Sequence, residues 1–491
     1  MNSSYLKSPL RPLALMVMAF SLGACTLGPD YQRPDLPVST EFKQAEGWKT
    51  AAPADVLQRG DWWALYGDAE LNALVGRLNV SNQNLAAAEA QYRQARALVR
   101  GARSQLFPVV GASGGVSRGG QGSSSNNASQ NFGSSSGVSE SYEIGLDASW
   151  ELDIWGRLRR NLEANRANMQ ASAADLAAVR LSLQSELVQT YLQLRVMDEQ
   201  QRLLDQTVEA FARSLRLTEN QYEAGIVPKS DVSQALTQLK STQAQAIDLG
   251  WQRAQMEHAI AVLVGVPPSE LTIAERRDIP QLPEVPLALP SQLLERRPDI
   301  ASAERQVIAA NAQIGVAEAA WYPDLTLSAS GGYRNSSFSD LISVPNRFWS
   351  LGPQLALTLL DFGARRAELE QVEASYDQTV ANYRQTVLDS FREVEDNLVQ
   401  LRVLAEEAVV QREALEAAQE SLRLIENQYR AGTVDFLSVA TVQTTALNNE
   451  RTNLLLLGDR LTASVQLIAA LGGGWDEAQL EQEPVFEGPE R

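Results

Sequence analysis

The stretch SLRLTENQYEAG, from Ser214 to Gly225, returns almost unchanged as SLRLIENQYRAG from Ser421 to Gly432, 207 positions later. A stretch that repeats at a fixed spacing indicates a duplicated structural unit. Each copy ends in Ala-Gly, and glycine is the residue that most readily takes the left-handed conformation that ends a helix. Gly225 and Gly432 are therefore predicted to end two equivalent helices, at the turns of two helical hairpins.

The match continues on both sides of the quoted stretch. At the same offset of 207, Gly145 matches Gly352 and LRV at 194–196 matches LRV at 401–403; at an offset of 215, Pro108 matches Pro323. The smaller offset later in the chain predicts an insertion in the first copy, where the Gly/Ser/Asn-rich tract 117–137 has the composition of a mobile loop. The predicted organisation is a first structural repeat at 70–265, a Pro-rich linker at 266–290, a second structural repeat at 291–471 and a tail at 472–491.

Each copy also contains a long stretch suited to one helix. Residues 157–224 and 364–431 contain neither glycine nor proline, and their apolar residues recur at helical spacing. At about 1.5 Å per residue, each helix would be roughly 100 Å long, which exceeds the thickness of a bilayer. Return helices are predicted at 229–264 and 436–471. An isolated coiled coil, or a broken helix in a globular core, is the alternative.

A different periodicity precedes each long helix. In YEIGLDASWELDI, at 142–154, apolar and mostly acidic positions alternate, and residues 349–359 of the second copy keep the same phase. Weaker partner strands are predicted at 107–116 and 325–333. The alternation is typical of membrane β-barrel strands and equally of a soluble sheet edge. Four strands are too few to close a membrane barrel, so in a membrane several chains would have to pool them.

The first residues predict export and lipidation. Lys7 and Arg11 precede an apolar run at 13–22, so residues 1–24 have the pattern of a signal peptide. Leu-Gly-Ala-Cys at 22–25 matches a bacterial lipobox, which predicts cleavage before Cys25 and acylation of its thiol and amino group. An ordinary signal peptide followed by an incidental cysteine is the alternative. Thr26, rather than aspartate, follows Cys25, and this favours delivery to the outer membrane.

The composition excludes several classes of function. The formal net charge of −18 becomes −20 once Lys7 and Arg11 leave with the signal peptide, so the mature chain repels nucleic acid. Cys25 is the only cysteine and His258 the only histidine, which leaves no disulfide framework, His-based catalytic triad or histidine zinc site. His258 lies on a helical pattern and is interpreted as a packed or solvent-facing residue. No catalytic residue and no metal site is predicted.

Several motifs, in a fixed order, carry a resemblance to a known family. They are GPDYQRP at 28–34, DWWALYGDAELNALV at 61–75, WELDIWGRLRR at 150–160, LLERRPDIASAERQVIAANAQIGVAEAAWYPDLTLSASGG at 293–332, the two QYxAG turns and ALGGGW at 470–475. With these motifs the chain resembles the outer membrane factors of tripartite efflux pumps, the TolC/OprM type, and in particular their lipoprotein branch. The resemblance covers nearly the whole mature chain.

The resemblance implies a mixed α/β membrane protein. Three chains would form a homotrimer in which four strands per chain close a twelve-stranded outer-membrane β-barrel, continued by a long periplasmic α-helical barrel. Residues 25–69 would hold the lipid anchor and an N-terminal equatorial segment, and with 266–290 and 472–491 they would form a belt around the tunnel. The implied partners are a periplasmic adaptor protein, an inner-membrane transporter of the resistance-nodulation-division class and outer-membrane lipid. Apart from diacylglycerol and an N-acyl chain on Cys25, no cofactor is implied.

The family's functional positions carry over unevenly. The turns that meet the adaptor map onto Tyr222, Gly225, Tyr429 and Gly432. Acidic residues form a constriction near the second turn in relatives, but Ser438 and Thr441 stand at those positions here. The remaining candidates for the periplasmic aperture are Asp231, Asp435 and Leu437.

The predicted function is the exit duct of an efflux pump, which passes drugs or toxic small molecules to the exterior. Within the family, a channel for type I protein secretion is the alternative. From other classes, a trimeric surface adhesin or structural rod would also use long helices. The adhesin hypothesis predicts one terminal anchor and a receptor-binding head, which the two β-hairpins do not fit. A third hypothesis is an envelope lipoprotein enzyme, but the sequence contains no nucleophile–base pair or metal constellation that would support it.

Overall fold

A computed structural model describes residues 26–36, 42–43, 61–120, 138–283 and 296–475. The predicted signal peptide, Cys25, most of the Gly/Ser/Asn-rich tract, the end of the linker and most of the tail lie outside these residues.

The described elements run in the same order in the two parts of the chain. Each part has a helix, two strands, a long helix and a return helix, and the first part begins with one additional helix. The elements are α1 (Ala69–Ser81), α2 (Gln83–Ser104), β1 (Val109–Gly120), β2 (Val138–Leu152), α3 (Arg157–Glu223), α4 (Lys229–Leu263), α5 (Pro298–Ala319), β3 (Asp324–Asn335), β4 (Arg347–Ala356), α6 (Ala364–Arg430) and α7 (Phe436–Ala470).

The long helices confirm the prediction from glycine and proline spacing. Both α3 and α6 contain 67 residues, and each ends one position before its predicted end. Before α3, the Asp153 carboxylate accepts the N–H groups of Leu158 and Arg159, both at 3.0 Å, so it satisfies backbone donors that a helix start leaves unpaired. Among the described residues, no helix is both long and apolar enough to cross a membrane.

The four strands form one antiparallel sheet in the order β1-β2-β3-β4. The register keeps the predicted alternation across all strands: Ile144 lies opposite Tyr333, and Trp150 lies opposite Leu327. The neighbouring positions pair polar residues, such as Glu143 with Arg334, whose side chains form an ion pair of 2.8 Å. One face of the sheet is therefore apolar and exposed, and the other is polar, as the sequence predicts.

The last predicted strand is shorter than expected. The phase of its apolar residues continues to 359, but β4 ends at Ala356. The reason is its partner, because Ala356 pairs with Asp324, the first residue of β3. Beyond that point, residues 357–359 find no strand to pair with in the described part of the chain.

The chain divides into two compact units. The first comprises Met1–Pro34, Arg93–Gln170 and Glu304–Ala381, and so contains the whole sheet. In this unit, the buried Arg160 donates to the carbonyl oxygens of Leu27 (2.9 Å) and Gly28 (3.1 Å). A Cβ atom on Gly28 would lie 2.5 Å from the Cα of Gly315, so glycines allow this close approach. The segment that follows Cys25 is thus fixed beside the start of α3.

The second unit comprises Asp35–Tyr92, Ala171–Ala303 and Asn382–Arg491. It holds the ends of both helical hairpins and the segments around Trp62 and Leu271. Trp62 and Leu71 are fully buried in it, and the Tyr66 hydroxyl lies 2.7 Å from Ser464 Oγ in α7. Residues 26–34 and 61–69, which the sequence grouped in one equatorial segment, therefore belong to different units.

Candidate functional site

The two helical hairpins have turns of the same type. Gly225 and Gly432 each have a φ angle of 75°, which confirms the left-handed conformation predicted for them. In each turn, two backbone N–H groups donate back to the last turn of the helix, as in a Schellman motif. The bonds run from Gly225 to Tyr222 (2.9 Å), from Ile226 to Gln221 (2.8 Å), from Gly432 to Tyr429 (2.9 Å) and from Thr433 to Gln428 (3.0 Å).

The two tyrosines of these turns lie in different environments. Tyr222 is 44% exposed, in keeping with a position that meets a partner. Tyr429 is 5% exposed, and its predicted role in adaptor contact stays a prediction. Its hydroxyl donates to Gln221 Oε1 at 2.8 Å and lies 3.1 Å from Thr218 Oγ1. Because Gln221 and Thr218 belong to α3, Tyr429 joins the second hairpin to the first.

An apolar cluster holds the two hairpins together beside these turns. Phe436 is 1% exposed and meets the Tyr429 ring edge-to-face, with ring centroids 5.9 Å apart. The cluster draws on all four helices of the hairpins. Its buried members are Phe211, Leu215, Ala235, Leu239, Tyr429, Phe436, Val439 and Ala440. Separation of the hairpin ends would expose this cluster to water, so packing favours the joined arrangement.

Asp231, the first aperture candidate, lies in the first turn of α4 and is half-buried. Burial is the main cause of a raised pKa for Tyr429; the hydrogen bond with Thr218 opposes it, and the negative charge of Asp231 adds to it. The Tyr429 hydroxyl is therefore protonated at neutral pH and can donate its hydrogen bond. The charge of Asp231 thus acts on the residue that joins the two hairpins.

Asp435, the second aperture candidate, caps the start of α7. Its Oδ1 accepts the Ser438 N–H at 3.0 Å and the Ser438 hydroxyl at 2.5 Å. Both hydrogen bonds lower the pKa of Asp435 below its usual range, and the bond from the Ser438 hydroxyl has the larger effect. Leu437, the third candidate, is largely exposed. The structure therefore places one acidic and one apolar candidate at the start of α7.

The charge and the capping role of Asp435 can be separated by substitution. We expect Asp435→Asn to preserve the start of α7, because the amide oxygen can accept the same N–H, whereas Asp435→Ala removes the acceptor. Heat resistance of the purified protein should fall only for alanine. Both substitutions should lower cation preference, measured as the reversal potential in a planar bilayer. Parental reversal potentials in both variants would show that Asp435 caps the helix and contributes nothing to the aperture.

The pH dependence of the same cap has a definite sign. A carboxyl whose pKa is lower in the folded state stabilises the fold above its unfolded pKa, and this contribution is lost as pH falls through the folded value. The unfolded pKa of aspartate is about 3.9. The Asp435 cap should therefore be intact at neutral pH and weaken only in acid, below about pH 4.

A buried ionic cluster in the second unit was not predicted from the sequence. The fully buried guanidinium of Arg195 in α3 binds Glu70 at 2.6 Å and Asp198 at 2.7 Å. Asp198 also accepts from Arg253 of α4 at 2.6 Å. Arg195 donates further to the carbonyl oxygen of Ala274 at 2.8 Å. One side chain thus connects the first turn of α1 and the segment after α4 to the first long helix.

A signal for this cluster exists in the sequence. Tyr191, Leu194, Arg195 and Asp198 recur at the spacing of one helical face, so a charged pair lies on a face that is otherwise apolar. At the offset of 207, Ala405 stands at the position of Asp198, so the charged pair is not repeated in the second copy. Among the described residues, no group of three or more His, Cys, Asp or Glu is placed to hold a metal ion.

Known proteins match this chain over almost its whole length. A sequence profile of a family described as "Outer membrane efflux protein" matches residues 74–266 and 289–473. The probable efflux pump outer membrane protein TtgC of Pseudomonas putida KT2440 is 32% identical over 485 residues, which cover 97% of this chain and 99% of TtgC. The pyoverdine export outer membrane protein OpmQ of Pseudomonas aeruginosa PAO1 is 33% identical over 469 residues, covering 95% and 97%. The solved structure of the outer-membrane channel OprN has a TM-score of 0.83 and 32% identity, covering 92% of this chain and 100% of that chain.

Proposed function

Because the chain belongs to the outer membrane efflux protein family, we propose that it is the outer-membrane exit duct of a tripartite efflux pump. The observation that carries this proposal is the sheet of four strands, apolar on one face and polar on the other, joined to two matched helical hairpins. An apolar outer face suits lipid, and a polar inner face suits a water-filled channel. An inner-membrane transporter of the resistance-nodulation-division class would supply the energy, and a periplasmic adaptor would connect it to the duct.

The open edges of the sheet support a homotrimer. In the described chain, β1 and β4 each pair with a strand on one side only. Unpaired backbone groups cannot face lipid, and a bacterial barrel needs at least about eight strands. Three chains would pool twelve strands and remove the edges. Their hairpins would continue as a helical barrel, with two turns from each chain at its periplasmic mouth.

The repeated element order supports an internal duplication. Two similar hairpins per chain would give the trimer six near-equivalent turns around one axis. The difference between the two kinds of hairpin lies in their packing, since Tyr429 and Phe436 are buried whereas Tyr222 is exposed. The exposed turn of the first hairpin is the more accessible of the two to an adaptor.

The segment after Cys25 supports a lipid anchor at the membrane surface. The Leu27 N–H donates to the carbonyl oxygen of Trp155 at 3.2 Å, and Trp155 lies three residues after β2 ends. The Trp155 ring packs on Tyr322 with centroids 4.7 Å apart, so aromatic side chains cluster at this end of the sheet, as at a membrane interface. Acyl chains on Cys25 would start two residues from Leu27. The intact mass of the mature protein tests this; a chain lacking acyl groups would rule out the anchor.

Substitution at a turn tests the proposed function. Gly432→Val places a β-branched residue at a φ of 75°, where it is strained by about 1–2 kcal/mol or more, although a Cβ there meets no atom of the described chain within 4 Å. We expect drug resistance in a strain that lacks the native gene to be restored by the parent and not by Gly432→Val. Gly432→Asn is the matched control, because asparagine tolerates this conformation.

The amount of protein in the outer membrane must be equal in the three strains. Full resistance with Gly432→Val at equal membrane levels would show that the turn does not couple the duct to its partners. If the parent itself restores no resistance when its cognate adaptor and transporter are present, the efflux function is wrong.

A further inference from the structure

Exposed apolar residues lie along both unpaired edges of the sheet. On one edge, Leu357, Leu359 and Leu360 follow the end of β4 and are exposed. On the other, Val109 and Val110 begin β1 and are also exposed. Since the strand phase runs on past Ala356, the residues after β4 have the sequence of a strand without a partner.

The two β-hairpins are copies of one another in register. Val109 pairs with Ser149 in the first hairpin, and Asp324 pairs with Ala356 in the second. Adding 215 to the number of the β1 residue and 207 to that of the β2 residue converts the first pair into the second. The elements that bound the strands have the same offsets: α2 and α5 end at Ser104 and Ala319, and α3 and α6 begin at Arg157 and Ala364.

The pairing between the two hairpins can be transferred in the same way. Trp150 of β2 pairs with Leu327 of β3. Adding 207 to the first number and subtracting 215 from the second gives Leu357 opposite Ala112. We propose that residues 355–359 extend β4 by pairing antiparallel with residues 110–114 of a second copy of this chain, with Leu357 opposite the second copy's Ala112. This inference rests on the proposed trimer and adds its register.

The missing partner explains why β4 ends early. Residues 150–152 of β2 have no partner in β1, because β1 begins opposite Ser149. They still form part of the strand, because β3 pairs with them as far as Leu325. Residues 357–359 hold the equivalent place in β4, and a second copy's β1 would be the equivalent neighbour. With that neighbour present, backbone groups that would otherwise face lipid unpaired become bonded.

In the proposed register, residues of the apolar face pair with residues of the apolar face, and residues of the polar face pair with residues of the polar face. Leu355, Leu357 and Leu359 continue the apolar face of β4, and their proposed partners Gly114, Ala112 and Val110 lie on the apolar face of β1. The intervening pairs, Ala356 with Ser113 and Thr358 with Gly111, lie on the polar face. A slip of one residue would put leucines into the channel, so the hydrophobic pattern disfavours it.

The register of the β2–β3 pairing can be transferred only to the half of the strands that contains residues 355–359 and 110–114. A Cβ atom on Gly332 would lie 2.2 Å from the Ile144 carbonyl oxygen, so the β2–β3 pairing is tightest there. At the offset of 215, Ser117 stands at the equivalent of Gly332, and its side chain does not fit the same geometry. Pro353, which has no N–H to donate, also lies outside the proposed segment.

An exposed aromatic residue fits the same interface. Phe362 is 94% exposed and has a φ of 53°, the only positive φ among the described residues that are not glycine. Its equivalent, Trp155, packs on Tyr322, whose own equivalent at the offset of 215 is the exposed Phe107. Packing of Phe362 on the second copy's Phe107 would bury both rings and offset the cost of the unusual backbone conformation.

Paired cysteines test the register in the full-length protein. Residues directly opposite in an antiparallel pair have Cα atoms about 4.5–5.5 Å apart, which a disulfide can bridge. After oxidation of outer membranes, Ala112→Cys with Leu357→Cys should give covalent dimers and trimers in non-reducing gels. Ala112→Cys with Leu355→Cys keeps both residues on the apolar face but is two residues out of register. That pair, and each single variant, should remain monomeric in the gel.

The outcomes separate the register from the trimer. Cross-linking by the shifted pair, or by neither pair while lysine cross-linking still shows a trimer, would overturn the proposed register alone. A monomer by lysine cross-linking would overturn the trimer as well. Phe362→Gly gives a second test, because glycine relieves the positive φ. If the Phe362 ring makes no contact in the trimer, Phe362→Gly should be neutral or stabilising. Because we propose that this ring packs on the second copy, we expect the trimer of this variant to dissociate at a lower temperature.

Discussion

Cells that carry Phe436→Ala should admit large antibiotics that the parent excludes. Phe436 is 1% exposed in the cluster that joins the two hairpins, and replacement of a buried phenylalanine by alanine typically costs about 3–5 kcal/mol. Because the joined hairpins bury this ring, the loss acts against the joined arrangement, which we expect to be the closed state of the channel. About 1.4 kcal/mol corresponds to a factor of ten, so the ratio of open to closed channels should rise by about 100-fold or more.

Single-channel conductance in planar bilayers and growth in the presence of a large antibiotic measure this effect. The matched control is Lys229→Ala, since Lys229 is exposed and holds the position of Phe436 in the first hairpin at the offset of 207. It should leave both readings at the parental values. Equal effects of the two substitutions, or none from Phe436→Ala in a correctly assembled trimer, would show that the apolar cluster does not hold the channel closed.

The sequence predicts the long elements of this fold closely because their ends depend on local chemistry. The last residues of α3 and α6 lie two positions before Gly225 and Gly432, and glycine supplies the left-handed turn that stops each helix. The end of β4 could not be predicted in the same way. A strand continues only where a neighbouring backbone offers hydrogen bonds, and no local pattern shows where that neighbour ends.

The environments of the site residues depend on what lies opposite them. QYEAG and QYRAG predict the same turn and the same tyrosine position, yet Tyr222 is exposed and Tyr429 is buried. The difference follows from the start of the return helices, where the first hairpin has Lys229 and the second has Phe436. An aromatic residue in place of a lysine at equivalent positions was the available signal that the second turn packs inward. The proposed aperture role of Asp231, Asp435 and Leu437 stays a prediction.

The buried Arg195 cluster carries the last prediction, which concerns stability rather than gating. Arg195→Met would leave Glu70 with the more distant Arg276, at 3.6 Å, in place of its 2.6 Å partner, and the buried Asp198 with Arg253 as its remaining close cation. Removal of one partner from a buried ion pair typically costs about 3–5 kcal/mol, because the other charge stays buried without full compensation. We expect the proposed trimer to dissociate at a markedly lower temperature than the parent, with no change of single-channel conductance before it dissociates.

Two comparisons separate this effect from a general loss of arginine. Arg213 lies on the same helix in an exposed pair with Glu209 at 3.9 Å, and Arg213→Ala should change stability by less than about 1 kcal/mol. Adding Glu70→Gln to Arg195→Met should restore part of the lost heat resistance, because a carboxylate left with Arg276 alone, at 3.6 Å, is then removed. Such non-additivity is expected only for residues that interact. Strictly additive losses would mean that Arg195 stabilises the protein through packing, and that its ion pairs contribute nothing measurable.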